Sequence, residues 1–360
     1  MEKLAILTGG GDAPGLNAVI RAAVKTAKND FGLQILGVKD GFDGFVEDDG
    51  IRPLHPHDVR GILPRGGTIL GTANRGNPFA RKVNRDGKEI IEDISGKLIE
   101  NIRELKLDGL IVIGGDGTLR IAQELYEKGV PVVGVPKTID NDIGGTECTF
   151  GFDTAVNTAM DALDKLHSTA ESHHRVMLLE LMGRDAGFIA LRAGIAGGAD
   201  VILIPEIPFS FDAICKKIHQ RQKQGSLFSI IAVAEGAYPK GGQPVVSIPG
   251  DSVYVARLGG ISFQVAEFVA ATCQVETRVT VLGHLQRGGS PSAFDRWLGT
   301  RFGSAAVHLA AEGKFGRMVA LKSERIVDLD IGEALAIPRR VDLNGDAIRA
   351  ARGLGISFGE

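Results

Sequence analysis

Two acidic segments hold the residues of this chain that are best suited to chemistry. Residues 114–118 read Gly-Gly-Asp-Gly-Thr, and residues 138–142 read Thr-Ile-Asp-Asn-Asp. Each segment follows a short apolar run of the kind that forms a buried parallel strand. Ligands of open α/β sheets bind beyond the carboxyl ends of the strands, so both segments are expected to face one cleft.

The first segment is suited to phosphate and metal binding. Asp116 stands where a carboxylate can hold Mg²⁺, directly or through water. The flanking Gly115 and Gly117 leave room for phosphate oxygens. A tight turn, in which the aspartate bonds to nearby backbone, is the structural alternative.

The second segment is suited to proton transfer. Asp140 can take the proton of an acceptor hydroxyl while that oxygen attacks phosphorus. Asp142 can orient water or a metal ion, and two carboxylates so close together favour a nearby cation. A surface turn is the alternative. Together the two segments predict phosphoryl transfer.

A third glycine-rich stretch, Gly9–Gly15, lies between a predicted strand and a predicted helix. Backbone N–H groups at such a turn can bind an anion, although close packing alone also explains the glycines. The chain contains neither the Gly-x-Gly-x-x-Gly fingerprint nor the Walker A lysine motif. Dinucleotide-binding proteins and P-loop enzymes are therefore disfavoured.

Phosphoryl transfer needs cations that neutralise phosphate charge, and arginine suits bidentate phosphate recognition. The candidates recur beside glycines and at strand ends, which sets them apart from ordinary surface arginines. They are Arg75, Arg175, Arg184, Arg278 and Arg287. His284 lies in the polar loop before Arg287, where it could bind a ligand or make a structural hydrogen bond.

The composition narrows the class of protein. A net charge of -3 gives no basic footprint for nucleic acid and no polybasic patch for a membrane. The three cysteines stand apart along the chain and support neither a disulfide framework nor a metal knuckle. No apolar run approaches the ~20 residues of a membrane helix, and the first residues lack a signal-peptide pattern. A cytoplasmic location is expected.

The order of predicted elements favours an α/β fold. Strand and helix signals alternate, with strands at Leu4–Leu7 and Gln34–Val38 and a helix at Gly15–Asn29. Residues 41–84 are rich in glycine, arginine and proline, and long functional loops are expected there. A second block of similar βα character begins near Phe152, which places a domain boundary near residue 151.

On these motifs the chain resembles the 6-phosphofructokinase family over nearly its whole length. Six motifs occur in order, at residues 10–17, 66–68, 114–117, 138–142, 182–184 and 283–291. The resemblance implies two similar three-layer α/β domains with mostly parallel sheets and an active site in the cleft between them. It assigns residues 1–151 and about 286–336 to the nucleotide domain, and residues 152–285 and about 337–360 to the sugar-phosphate domain.

The resemblance further implies an enzyme of glycolysis that transfers the ATP γ-phosphate to the 1-hydroxyl of D-fructose 6-phosphate. Donor binding is implied for Gly11, Arg75, Gly115, Asp116, Gly117 and Thr118. Asp116 would bind Mg²⁺, and Asn74 is the alternative to Arg75 in the alignment. Asp140 would be the base with Thr138 nearby, and Arg184 would steady the transferring phosphoryl group.

Sugar-phosphate binding is likewise implied by the resemblance. It falls to Thr138, Asp140, Arg175, Met182, Gly183, Arg184, Glu235, Arg278, His284 and Arg287. The backbone of Met182 and Gly183 would hold the sugar with Glu235, while His284 and Arg287 would grip its 6-phosphate. Arg175 and Arg278 would reach into a neighbouring subunit's site, so a homodimer or homotetramer is expected.

Two positions bear on the choice of phosphoryl donor. Lys137 is typical of pyrophosphate-using members and of a mixed-substrate branch of the family. Pyrophosphate users, however, usually carry an acidic residue at the position of Gly117, where a carboxylate would crowd and repel the nucleotide's α-phosphate. Gly117 decides access directly, so ATP is the predicted donor and pyrophosphate is the alternative.

Two other classes of protein are the alternatives to a phosphofructokinase. The NAD and diacylglycerol kinases share the Gly-Gly-Asp-Gly-Thr loop, but they would not need the motif around His284 and Arg287. A sugar-phosphate sensor without activity would be expected to have lost Asp116 or Asp140. Both carboxylates are present, so an enzyme is predicted.

Overall fold

The computed structural model describes residues 1–73, 76–85, 88–250 and 256–360. The chain divides into two compact units. Unit 1 comprises Met1–Thr138, Ile143–Asp153 and Arg287–Pro338, and unit 2 comprises Ile139–Asp142, Thr154–Gln286 and Arg339–Glu360. The chain therefore changes units inside the second acidic segment, whereas the sequence analysis placed that whole segment in the nucleotide domain.

The described residues form strands and helices, together with two 3-10 helices, at Gly41–Phe45 and Gly283–Arg287. The strands are β1 (Lys3–Thr8), β2 (Gln34–Val38), β3 (Ile51–Leu54), β4 (Arg81–Arg85), β5 (Lys88–Glu92), β6 (Gly109–Gly114), β7 (Val132–Pro136), β8 (Val176–Leu181), β9 (Val201–Leu203), β10 (Ser229–Ala234), β11 (Val246–Ile248), β12 (Arg257–Leu258), β13 (Thr277–Val281), β14 (Arg317–Lys322) and β15 (Arg325–Asp330). The helices are α1 (Leu16–Phe31), α2 (Ser95–Glu104), α3 (Asp116–Glu127), α4 (Phe152–His173), α5 (Phe188–Ala196), α6 (Phe211–Lys223), α7 (Ile261–Cys273), α8 (Ala293–Ala311), α9 (Ile331–Ala336) and α10 (Asp346–Gly353).

Unit 1 is built on a seven-stranded sheet in the order β15-β14-β7-β6-β1-β2-β3. The strands from β14 to β2 pair in parallel, whereas the outer strands β3 and β15 run antiparallel to their neighbours. β6 and β7 are buried along their whole length, because central parallel strands are covered on both faces. Alternate residues such as Leu7, Leu110 and Val112 pack in one core with Leu98 of α2 and Leu119 of α3.

Unit 2 is built on a four-stranded parallel sheet in the order β13-β8-β10-β9. Its core joins Leu178 of β8 and Val233 of β10 to Ile214 of α6 and Val265 of α7. The mostly parallel α/β fold predicted from the sequence is thereby confirmed. No helix among the residues described for either unit is long and apolar enough to cross a membrane.

A buried carboxylate near the carboxyl end of β8 anchors α7 to this sheet. Glu180 accepts hydrogen bonds from the backbone N–H of Gly260 at 2.7 Å and of Ser262 at 3.0 Å, and from the Ser262 hydroxyl. The negative charge lies at the amino end of α7, where the helix dipole favours it. This pairing explains how an otherwise apolar strand tolerates a glutamate.

The prediction for residues 41–84 is wrong in part. Besides loops, the structure has the 3-10 helix Gly41–Phe45, the edge strand β3, and β4, which pairs with β5 as a hairpin. β3 pairs antiparallel with β2 through Ile51–Leu54, a run too short and too interrupted by Pro53 to stand out in the sequence. The predicted strand Gln34–Val38 has the same bounds in the structure.

Candidate active site

The amino end of α3 lies against the glycine-rich turn after β1. α3 begins at Asp116, with Gly115 as its N-cap. A Cβ at Gly9 would come within 2.6 Å of the Thr118 side chain, and a Cβ at Gly114 within 2.3 Å. Thr118 can therefore pack at the ends of β1 and β6 only because both positions are glycine. The first N–H groups of α3 have no partner within the helix, which suits this end to an anion.

Asp116 is paired with an arginine that the sequence analysis missed. Arg120 donates to both carboxylate oxygens of Asp116, at 2.9 Å each, and to the backbone O of Leu335 at 3.2 Å. The i,i+4 spacing of the pair on one helix is the signal that could have found it. About half of each side chain is exposed to solvent, so the carboxylate remains accessible.

The donor set around Asp116 limits how a metal could be held. The described residues contain no group of three or more His, Cys, Asp or Glu side chains that could hold a metal ion. Mg²⁺ is commonly bound through one or two carboxylates, with substrate phosphates and water completing its shell. A single accessible carboxylate beside an anion-binding helix end fits that pattern.

Gly117 occupies open space in the first turn of α3. A Cβ at this position would meet no atom within 4 Å, and the backbone is helical. Neither packing nor backbone conformation therefore requires glycine there. This separates Gly117 from Gly9 and Gly114, where a side chain would collide with Thr118.

Lys137 joins the end of β7 to the turn after β1. Only 3% of Lys137 is exposed, and its ammonium group donates to the backbone O of Gly11. Its own backbone N–H donates to the backbone O of Gly114 at 2.8 Å. Lys137 thus fixes the shape of the glycine-rich turn, besides any effect on donor choice.

A further loop runs beside the same turn. The backbone N–H of Gly10 donates to the O of Ala73 at 3.2 Å, and the Thr72 hydroxyl donates to the O of Gly10 at 2.5 Å. The chain leading towards Arg75 therefore lies against the glycine-rich turn. Arg75 and its alternative Asn74 themselves fall outside the described residues.

Arg287 also lies against the glycine-rich turn of unit 1. Its Nη1 donates to the backbone O of Asp12 at 3.0 Å. A Cβ at Gly11 would come within 2.5 Å of the same nitrogen. The arginine that the resemblance assigns to the sugar 6-phosphate is thus held, in this structure, beside residues assigned to the donor.

β6 and β7 place the first acidic segment beside the start of the second. Gly114 and Pro136 are partners in the parallel register. A Cβ on Gly115 would lie 3.3 Å from the backbone O of Lys137 and 3.9 Å from the Cβ of Thr138. Thr138 is buried, and its carbonyl accepts a hydrogen bond of 2.7 Å from the Thr149 hydroxyl.

The remainder of the second segment belongs to unit 2. Asp140 is partly buried and follows Thr138 by two residues. Asn141 is buried with a φ of +57°, a left-handed conformation that asparagine adopts more readily than most residues. The backbone O of Asp142 accepts a hydrogen bond of 2.8 Å from the N–H of Arg339. The C-terminal part of the chain therefore supports this segment.

The carboxyl ends of neighbouring strands in unit 2 collect most of the predicted sugar-phosphate residues. Met182–Arg184 follows β8, Glu235 follows β10, and His284 follows β13 in a 3-10 helix. Arg184 and His284 are exposed. Glu235 accepts a hydrogen bond of 3.1 Å from the backbone N–H of Arg184. The loops after β8 and β10 are therefore in direct contact.

Arg184 has an unfavourable backbone conformation. Its φ is +51° and that of Gly183 is +139°, both in the left-handed region that costs a non-glycine residue about 1–2 kcal/mol. A Cβ at Gly236 would lie 2.0 Å from the backbone O of Arg184, so this glycine makes room for the turn. Such strain persists only where the surroundings hold it, and it is common at functional sites.

Arg175 and Arg278 lie at the opposite end of the same sheet. Arg175 precedes β8, and Arg278 lies beside Met177 near the start of β13. Both contact Glu276, which accepts a hydrogen bond of 2.6 Å from Arg175 and forms an ion pair with Arg278. The bond from Arg175 holds the pKa of Glu276 below its usual range.

The length of the sheet separates these arginines from the other sugar-phosphate residues of the same chain. β8 has six residues, or about 20 Å of extended chain. Met182–Arg184 and His284 follow the carboxyl ends of β8 and β13, while Arg175 and Arg278 stand at the amino ends. One chain therefore does not bring all the predicted residues to one place.

Comparison with known proteins identifies the family of this chain. The family model described as phosphofructokinase matches residues 3–310. The chain belongs to the phosphofructokinase family. The ATP-dependent 6-phosphofructokinase of Chloroflexus aggregans is 52% identical over 360 residues, which are 100% of this chain and 98% of that protein. The family predicted from the six motifs is thereby confirmed.

Two other phosphofructokinases extend the comparison. The pyrophosphate–fructose 6-phosphate 1-phosphotransferase of Streptomyces coelicolor is 50% identical over 342 residues, covering 94% of this chain and 96% of that protein. The solved structure of phosphofructokinase from Saccharomyces cerevisiae matches 93% of this chain, with a TM-score of 0.80 and 30% identity. This chain spans 45% of that longer yeast chain.

Proposed function

We infer that this chain is an ATP-dependent 6-phosphofructokinase, a phosphotransferase that converts D-fructose 6-phosphate to fructose 1,6-bisphosphate. The choice of ATP as donor rests on the absence of a side chain at Gly117. A Cβ there would meet no other part of the chain within 4 Å, so the fold does not itself exclude an acidic residue. Its absence leaves space for the nucleotide beside the amino end of α3.

The phosphoryl donor binds in unit 1, at the turns that follow β1 and β6. Backbone N–H groups at the start of α3 bind phosphate oxygens, beside the glycine-rich turn. Lys137 keeps that turn in shape through the carbonyl of Gly11. Asp116 would hold Mg²⁺, which neutralises charge on the donor phosphates when it is bound.

The other residues of the site transfer the proton and bind the sugar phosphate. The Asp140 carboxylate takes the proton of the 1-hydroxyl as the hydroxyl oxygen attacks the γ-phosphorus. The Arg184 guanidinium supplies positive charge to the transferring group. The backbone of Met182 and Gly183, with the Glu235 carboxylate, holds the sugar. His284 and Arg287 bind the 6-phosphate.

The donor is tested by supplying ATP or pyrophosphate as the sole phosphoryl donor and measuring fructose 1,6-bisphosphate through a coupled assay. Turnover is expected with ATP and only background with pyrophosphate. The reverse result would replace the ATP assignment by the pyrophosphate-dependent alternative. Binding of fructose 6-phosphate without transfer from either donor would favour a sensor.

Asp116→Asn is expected to raise the Mg²⁺ concentration for half-maximal rate by about tenfold, or ~1.4 kcal/mol. The amide removes the negative charge that attracts the cation. Direct titration of the protein with Mg²⁺ and a non-hydrolysable ATP analogue, by calorimetry, checks the effect without turnover. Arg120→Gln is the matched control, because it breaks the same exposed ion pair but leaves the carboxylate. Equal shifts in the two variants would contradict a metal role for Asp116.

Arg175 and Arg278 complete the sugar-phosphate site of a neighbouring copy in a homodimer or homotetramer. Their place at the amino ends of β8 and β13, away from Met182–Arg184, supports this arrangement. Anions of the neighbour's substrate would compete with Glu276 for the two guanidinium groups.

Complementation between two inactive variants tests the shared site. Arg278→Ala and Asp140→Asn are each expected to have little activity alone. When the two chains are co-expressed, a hybrid dimer contains one site with both residues intact, so about a quarter of normal activity returns at random mixing. Activity no higher than the mean of the two separate variants would contradict the shared site.

A further inference from the structure

Glu206 is a carboxylate of unit 2 that has no part in the proposed chemistry, yet distant backbone segments meet at it. The N–H of Gly187 donates to both of its oxygens, at 3.0 and 3.1 Å. The N–H of Val341 donates to its Oε1 at 3.0 Å. We propose that Glu206 is a positioning residue that fixes the Arg184 turn, and with it the support of the Asp140 segment, for phosphoryl transfer.

The first link runs from Glu206 to the start of α5. Gly187 is the N-cap of α5, and a carboxylate at this end is favoured by the helix dipole. A Cβ at Gly187 would lie 2.4 Å from Ile204 and 2.7 Å from Glu206 Oε2. Only glycine therefore allows the carboxylate to approach the backbone so closely.

The second link runs from Gly187 to Arg184 within one tight turn. The N–H of Ala186 donates to the O of Gly183 at 2.9 Å. Glu235 holds one end of this turn at the N–H of Arg184, and Glu206 holds the other end at Gly187. The two carboxylates bracket the residue whose left-handed φ of +51° needs support.

The third link runs from Glu206 to the second acidic segment. Val341, which bonds to Glu206, lies two residues after Arg339. The N–H of Arg339 donates to the backbone O of Asp142 at 2.8 Å, and its guanidinium lies 4.7 Å from the centre of the Phe188 ring in α5. The Glu206 carboxylate thus bonds both to the Arg184 turn, at Gly187, and to the C-terminal segment that supports the Asp140 segment, at Val341.

This inference rests on the proposed function, because the position of Arg184 matters only if Arg184 acts on the transferring group. Glu206→Ala is expected to lower kcat by about 10- to 100-fold, since a displacement of the order of 1 Å can cost that much. The KM for ATP should change by less than about twofold, because the donor site is in unit 1. Glu206→Gln keeps one acceptor oxygen, so its kcat should fall less than that of Glu206→Ala. If Glu206→Ala fails to fold, the kcat of Glu206→Gln tests the inference instead.

A double-variant cycle distinguishes positioning from mere structural support. Glu206→Ala and Glu206→Gln should lower kcat in the wild-type background and have a clearly smaller effect in the Arg184→Ala background, where only the link to the Asp140 segment remains, because residues that act through one another are not additive. The matched control is Glu147→Ala in unit 1. Glu147 also accepts one backbone N–H on both oxygens, from Ser323 at 3.0 Å each. Its loss should lower the melting temperature without changing kcat.

Two results would overturn the inference while leaving the proposed function intact. One is an unchanged kcat in both Glu206 variants. The other is an equal loss of kcat with and without Arg184, which would mean that Glu206 does not act through the Arg184 turn. Full activity of Arg184→Ala alone would instead remove the proposed role of Arg184, and the inference would fall with it.

Discussion

Asp140→Asn is expected to lower turnover by about 10²- to 10⁴-fold, the range that a general base contributes. The amide has nearly the same shape as the carboxylate but cannot take the proton of the sugar hydroxyl. The same group returns that proton in the reverse reaction, so turnover of fructose 1,6-bisphosphate with ADP should fall by a similar factor. The dissociation constant of fructose 6-phosphate, measured by calorimetry, should change little.

Asp140→Glu is the control for this prediction. It keeps a carboxylate but moves it by one methylene, so an intermediate loss of turnover is expected from misalignment alone. Near-normal turnover of Asp140→Asn would remove Asp140 from the role of base. A large loss of fructose 6-phosphate affinity would assign it to binding instead.

Gly117→Asp is expected to lower kcat/KM with ATP by about 100-fold, or ~2.7 kcal/mol of transition-state stabilisation. The fold of the protein should change little, because a Cβ at this position meets no other part of the chain within 4 Å. The added carboxylate repels the phosphates of the donor in the same space. Initial rates over a range of ATP concentrations measure the effect.

Gly117→Asn separates charge from bulk in this experiment. It has almost the same size as aspartate without the negative charge, so its loss with ATP should be clearly smaller. Both variants should melt within a few degrees of the wild type, since neither fills occupied space. Equal losses for asparagine and aspartate would mean that volume, and not charge, decides access. Unchanged kinetics of Gly117→Asp would remove Gly117 as a determinant of the donor.

The sequence was most informative where a buried parallel strand ends in polar residues. The apolar runs before Gly114 and Lys137 predicted β6 and β7, and the structure pairs these strands in parallel. Adjacent parallel strands end at the same edge of a sheet, so the start of the second acidic segment had to lie near the first. Met182–Arg184, Glu235 and His284 also follow the carboxyl ends of neighbouring strands in unit 2, although their roles were predicted from the resemblance and not from this rule.

Residues brought together from distant parts of the chain could not be predicted in this way. Arg287 bonds to Asp12 across 275 residues of sequence, and the motif around it says only that an anion is bound. Glu206 and Glu276 stand in no recognisable pattern, because each acts through backbone or arginine partners that only the fold supplies. The change of units between Thr138 and Ile139 likewise falls inside a motif that reads as continuous.

The most direct test of the account is ³¹P NMR of the enzyme with MgATP and fructose 6-phosphate. The γ-phosphate signal should decline at the rate at which a new phosphomonoester signal of the sugar C1 position grows, without release of inorganic phosphate. Asp140→Asn should slow both changes together. Transfer of the γ-phosphate to water, or no change in the ATP signals while pyrophosphate supports the reaction, would contradict the account.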